Sequence, residues 1–201
     1  IIPEKHKGKF PKGTTKIQET IAYSDFALKR FFETASKQEW YKNTLFVIVA
    51  DHTSSEPTEA KFKTNVGKFR IPILFFDPSK PEMVGKNMKN LQQIDVMPSV
   101  LDYLNIDTKM ISYGKSYQSE KDFVVYYLDN IYHYISGDFY LAFDGKKSLG
   151  LYNFKKDELL KTNLIKTDKN KANEMESFIK AYIQSFNERT IKNEFTLKKE
   201  N

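Results

Sequence analysis

Residues 44–53 read Thr44-Leu45-Phe46-Val47-Ile48-Val49-Ala50-Asp51-His52-Thr53, an unbroken apolar run that stops at an acid and an imidazole. A run so short and continuous predicts a strand buried on both faces, as in a parallel sheet covered by helices. In such sheets ligands gather at the carboxyl ends of the strands, where Asp51 and His52 fall. A carboxylate and a neutral imidazole form a mixed oxygen and nitrogen pair suited to a divalent metal. An acid after a strand also serves as the N-cap of a following helix, so the pair alone admits both readings.

Composition bounds the rest. The chain has 201 residues, 40% apolar and 14% aromatic, enough for a globular domain with a core. It has no cysteine, which excludes disulfides, thiolate metal sites and a cysteine-derived formylglycine within these residues. The net charge is +6, with many lysines in the last third interleaved with acids. Such a surface could meet anionic lipid headgroups, but no nucleic-acid-binding motif is present. No apolar run approaches the roughly 20 residues of a membrane helix.

Working outward, Thr15-Lys16-Ile17-Gln18 fits a capping box. The apolar spacing from Ile17 to Ala35 predicts a helix beside the strand. Residues 53–69 form a polar loop in which Thr53, Ser54 and Glu56 are the nearest candidates for substrate contact. Ile71–Phe76 predicts a second strand, ended by Asp77-Pro78. Asp95 reads as a helix N-cap with Pro98 in the first turn, and Lys115 as a turn residue that could face an anionic group. Phe123–Tyr127, Phe139–Phe143 and Leu149–Phe154, with turns at Ser136-Gly137-Asp138 and Asp144-Gly145-Lys146, predict a small antiparallel sheet over about 121–154. His133 falls among its aromatics, as a packed or edge residue. An amphipathic helix from Lys171 to about Phe186 closes the chain, and the tail from Thr190 is expected to fray. The expected division is 1–120, an α/β core, and 121–201, the antiparallel part and closing helix, packed as one unit.

Several of these segments stand in a recognisable order: Ile21-Ala22-Tyr23-Ser24-Asp25, Trp40-Tyr41-Lys42-Asn43-Thr44 leading into the strand, Arg70-Ile71-Pro72-Ile73-Leu74-Phe75-Phe76-Asp77-Pro78, Gln93-Ile94-Asp95-Val96-Met97-Pro98-Ser99-Val100-Leu101, Asp138-Phe139-Tyr140, and Leu151-Tyr152-Asn153-Phe154. Together they resemble the alkaline phosphatase superfamily. The likeness is to its sulfatase-like branch, which includes lipoteichoic acid synthases and phosphoglycerol and phosphoethanolamine transferases. The resemblance implies an α/β fold, the C-terminal portion of the family's parallel sheet with flanking helices, plus a small antiparallel sheet and a closing helix. It implies that Asp51 and His52 supply part of a divalent metal shell. The imidazole favours Mn or Zn over an all-oxygen calcium site. Thr53 stands where many relatives have Gly.

The family's nucleophile and first metal ligands precede the segment that Ile1–Phe10 resembles, so no catalytic nucleophile is expected in this chain. His6 is not the family's substrate histidine. The chain is expected to be the C-terminal part of a larger enzyme that transfers or hydrolyses a phosphate or sulfate ester, itself inactive and prone to self-association through uncovered sheet edges. The larger protein is expected to be extracytoplasmic, anchored in a bacterial membrane, with an anionic ester substrate, a lipid headgroup being one candidate, and no nucleic acid partner. The alternative is a non-catalytic interaction domain that keeps the fold.

Overall fold

The computed structural model describes residues 2–54 and 57–197. Contacts divide the chain into two compact units, Ile1–Thr58 with Arg70–Lys86, and Glu59–Phe69 with Asn87–Asn201. Residues 87–120 thus fall in the same unit as the antiparallel sheet.

The first unit is built on one helix and two strands. Helix α1 covers Lys16–Ala35, with Thr15 at its N-cap. The Gln18 carboxamide oxygen accepts the Thr15 backbone N–H at 3.2 Å, the reciprocal half of the expected capping box. Strand β1 is Phe46–Val49 and β2 is Ile73–Phe76. They pair antiparallel, with Phe46 opposite Phe76 and Val49 opposite Ile73. The sequence placed the first strand in a parallel sheet without assigning its partner; its partner here is antiparallel. A parallel partner needs a crossover, usually a helix, whereas the described residues of the link from 50 to 72 contain only two short 3₁₀ turns, Ala60–Lys63 and Gly67–Phe69. Nor is the pair covered on both faces, since Val49 and Leu74 are exposed. The continuous apolar run marks a strand here without marking a strand buried on both sides.

Aromatic rings fill the space between α1 and this pair. Phe32 lies 5.1 Å from Phe46 and 5.6 Å from Phe76, edge to face, a preferred ring arrangement. At the other end of α1, His6 packs against Tyr23 and Phe26 at 5.6 and 5.5 Å, so its ring serves packing.

The second unit carries a four-stranded antiparallel sheet in sequence order: β3 Phe123–Leu128, β4 Ile131–Ser136, β5 Phe139–Phe143 and β6 Ser148–Asn153. Each hairpin has a chemical cause. Gly137 and Gly145 take positive φ at the expected turns. Between β3 and β4, Asp129 and Asn130 both take positive φ, 52° and 62°. That is the requirement of a type I′ turn, met by residues that tolerate it, and it places β4 where the sequence reading named no separate strand.

Helix α3, Lys169–Lys192, lies on one face of the sheet, with the Asp168 side chain accepting the Lys171 N–H at 3.1 Å. Its Ala172, Met175 and Ile179, at helical spacing, join Tyr134, Leu141, Phe143 and Leu151 in the main core. The opposite face carries Ile135, Tyr140 and Ala142, against which Val66 packs. The helix runs beyond its expected end at Phe186, and the expected frayed tail is ordered through Phe195, while residues 198–201 lie outside the described residues. Asn193 caps α3 in the left-handed region, Arg189 donates to the Glu194 carbonyl, and Phe195 packs on Phe186.

A shorter helix, α2, covers Val96–Tyr103 and begins beside Asp95. The Asp95 carboxylate does not cap α2. Its Oδ2 accepts the Gln92 N–H at 2.9 Å, closing the preceding 3₁₀ turn, and the same oxygen is 2.8 Å from Lys115 Nζ. Both side chains are buried, 2% and 6% exposed as residues. The Lys115 ammonium also donates to the carbonyls of Asn90 and Phe123, at 3.0 and 2.8 Å. Each charge is therefore paired and hydrogen-bonded, the condition under which burial is tolerated. Gly114 makes the approach possible: a Cβ there would lie 2.1 Å from the Ile94 carbonyl oxygen.

Candidate metal and substrate site

Strand β1 ends at Val49, and Asp51 and His52 follow where the backbone leaves the sheet. Both side chains stand in solvent, 88% and 79% exposed. The Asp51 Oδ1 accepts the His52 backbone N–H at 2.9 Å, which turns the carboxylate toward its neighbour. The His52 Nδ1 lies 2.7 Å from the Thr53 carbonyl oxygen. A carbonyl only accepts, so Nδ1 carries the hydrogen, and the neutral ring presents its lone pair at Nε2.

That nitrogen is 3.5 Å from Asp51 Oδ2. Two ligand atoms each about 2.1 Å from one ion stand roughly 3.0–3.4 Å apart, from octahedral to tetrahedral angles. The pair therefore nearly spans the edge of a coordination sphere. The Thr53 carbonyl does what an outer-shell acceptor does in metal sites, fixing the tautomer and orienting the ring. The donor set and its spacing fit a divalent cation. Among the described residues no group of three or more His, Asp or Glu side chains is placed to hold an ion together. Thr53 is half-buried and Ser54 exposed beside the pair, and Glu56 lies outside the described residues.

Lys115 lies elsewhere, satisfied by Asp95 within the second unit. His133 is also a packed residue, 2% exposed within the sheet. Neither partnership was legible in the sequence. Asp95 and Lys115 are 20 residues apart, and His133 meets its nearest polar partner, Tyr140, across a hairpin.

The Sulfatase family model matches residues 3–106. Lipoteichoic acid synthase of Staphylococcus aureus (strain USA300) is 28% identical over 167 residues, covering 76% of this chain and 24% of the relative. The chain thus spans about a quarter of the length of the curated relatives it matches. Among solved structures, a protein in the alkaline phosphatase superfamily from Vibrio parahaemolyticus superposes with a TM-score of 0.73 at 21% identity, covering 98% of this chain and 47% of the other. The crystal structure of Ps i-CgsB gives 0.67 at 15% identity, over 90% of this chain and 46% of the other. The structures establish the fold, and with the family model covering just over half of its length, this chain belongs to the sulfatase family, on the fold of the alkaline phosphatase superfamily.

Proposed function

We propose that this chain is the C-terminal part of the catalytic domain of a metal-dependent sulfatase-like enzyme that transfers or hydrolyses a phosphate or sulfate ester. The observation that carries the reading is the Asp51–His52 pair, with Nδ1 2.7 Å from the Thr53 carbonyl oxygen and Nε2 3.5 Å from a carboxylate oxygen. Asp51 and His52 would hold one side of a divalent ion, manganese or zinc, with the remaining ligands and the nucleophile supplied by residues outside these 201. Such an ion neutralises an anionic ester and makes a hydroxyl nucleophile more acidic. Thr53 and Ser54 are positioned by sequence to donate hydrogen bonds to the ester oxygens.

The sulfatase-like branch that the chain resembles holds its catalytic domain outside the membrane. An extracytoplasmic, membrane-anchored bacterial parent with a lipid-headgroup or similar anionic ester substrate is therefore proposed. No helix of the described residues is long and apolar enough to cross a membrane. In β1 and β2, no third strand pairs with either among the described residues, which supports self-association of the isolated chain through open edges.

A second reading is a non-catalytic interaction domain that keeps the fold. One experiment separates them. In the full-length protein, Asp51→Ala and His52→Ala should each abolish turnover of an aryl phosphate or aryl sulfate and reduce bound metal, measured by elemental analysis. Unchanged metal content in both variants would leave the interaction-domain reading standing. The isolated chain should show no esterase turnover and only weak binding of manganese or zinc in calorimetry.

A further inference from the structure

His133 is buried in the four-stranded sheet and takes no part in the Asp51–His52 site. The ring of Tyr126 stacks on it at 4.6 Å and 10°, and that of Tyr140 at 5.8 Å and 11°. Its Nδ1 is 2.7 Å from the Tyr140 hydroxyl, and the ring also bonds the Leu128 backbone. The Leu128 backbone bond favours a hydrogen on the ring, and the tautomer that carries it on Nε2 leaves Nδ1 as the acceptor. The neutral ring then accepts the Tyr140 O–H at Nδ1. The Tyr140 oxygen is left to accept from the Asn65 carboxamide, at 3.3 Å. Every polar group in this line points the same way, from Asn65 through Tyr140 to His133 and Leu128.

The line ends in the segment 59–69. That segment rests on the sheet through the same two tyrosines. Tyr126 donates its hydroxyl to the Asn65 carbonyl at 2.5 Å, and Phe69 packs 4.3 Å from the Tyr126 ring. Val66 packs on the cluster of Ile135, Tyr140 and Ala142. By sequence this is the second half of the link that leaves β1 through Asp51 and His52 and returns to β2.

We propose that His133 is a protonation-controlled latch: a proton taken up at Nδ1 reverses the His133–Tyr140 hydrogen bond and loosens the segment 59–69 from the sheet. The added proton makes Nδ1 a donor. The Tyr140 oxygen then faces two donors, Nδ1–H and the Asn65 amide, while its own hydrogen loses its acceptor in a buried place. Such an unpaired buried donor is costly. The new charge also lies within reach of Lys68, which belongs to the segment being held.

The facing groups set the direction. Burial is the largest influence and pushes the His133 pKa down, Lys68 adds to it, and the Leu128 bond and Asp129 oppose it. Tyr140 is pushed up to about 12, chiefly by burial, and Tyr126 is also raised, so both phenols stay neutral in acid. A ring whose folded pKa lies below its unfolded value of 6.5 holds the latch fully above that pH. The hold weakens as pH falls from there toward the folded value, because the opened state binds the extra proton.

Hydrogen–deuterium exchange of the full chain between pH 7.5 and 5, corrected for the chemical exchange rate, tests this. Amides of 59–69 should lose protection by up to about tenfold per pH unit below roughly 6.5, as one-proton linkage requires, while α3 amides keep theirs. In His133→Phe, which keeps a ring in the stack and cannot titrate, protection should be lower but independent of pH. The proton should also be seen directly, with the wild-type imidazole titrating in nitrogen NMR over the same pH range. Overturning results are a 59–69 profile flat with pH in the wild type, an unchanged slope in His133→Phe, or a ring that titrates while the segment stays protected. Should the variant fail to fold, the wild-type NMR and exchange profiles together still decide. None of these readouts depends on metal or turnover, so the latch can fail while the proposed enzyme function stands.

Discussion

The two units bury side chains in different ways. In the unit that carries β3–β6, Tyr140, Leu141, Phe143, Leu151, Met175 and Ile179 are removed from solvent almost completely. In the unit that carries β1 and β2, Ala35 is the buried residue among those described, and no residue of either strand is buried. The candidate site stands at the end of the exposed pair. The most protected groups, a buried ion pair and a buried histidine, belong to the other unit. Stability thus concentrates where no chemistry is assigned, and the candidate ligands sit where burial constrains the backbone least.

The largest test of this division is the buried pair. Removing one member leaves the other charge buried without its partner, which costs about 3–5 kcal/mol. Lys115→Met should therefore lower the urea midpoint of the antiparallel unit sharply, read by exchange protection in β5. The double variant Asp95→Leu with Lys115→Met should recover much of the loss, since an apolar pair can replace a buried ion pair. A single variant as stable as the wild type would break the contrast.

Next in size is the apolar core itself. Leu141, fully buried between α3 and the sheet, should lose about 2–5 kcal/mol on truncation to Ala. Val49, exposed at the end of β1, should lose under about 1 kcal/mol on the same change. Equal losses in chemical denaturation would mean that β1 is far better covered in solution than its exposure implies.

The difference between the units also explains what the sequence made legible. Period-two alternation and glycine turns marked Phe139–Phe143 to the residue, but the expected half-buried strand is buried on both faces, Leu141 and Phe143 in the main core and Tyr140 and Ala142 in the opposite cluster. The mixed α/β class, the small antiparallel sheet and the closing helix were read on the same grounds. The direction of the β1–β2 pairing was not legible. A run such as Leu45–Ala50 records that apolar side chains are tolerated, and it says nothing about which neighbour pairs with the strand or how. Asp95 was read as a local cap, since its local role is all that a linear pattern can hold. Its bond to Lys115 depends on how Gly114 lets one turn meet another. At the candidate site, Asp51 and His52 were found by their place after an apolar strand. The Thr53 carbonyl that fixes the His52 tautomer became visible only with the backbone trace.

The smallest expected effect is the most informative about the site. Asp51 and His52 hold both side chains largely in solvent. Changes at such exposed positions usually stay within about 0.5 kcal/mol. The double variant Asp51→Ala with His52→Ala should therefore leave the denaturation midpoint of its unit unmoved, read by fluorescence of Trp40, the single tryptophan. If added manganese or zinc raises that midpoint in the wild type and not in the variant, the pair holds the ion, since a ligand stabilises the state that binds it. A variant that loses stability without metal would instead give Asp51 and His52 a structural role, and their exposure would then need another cause.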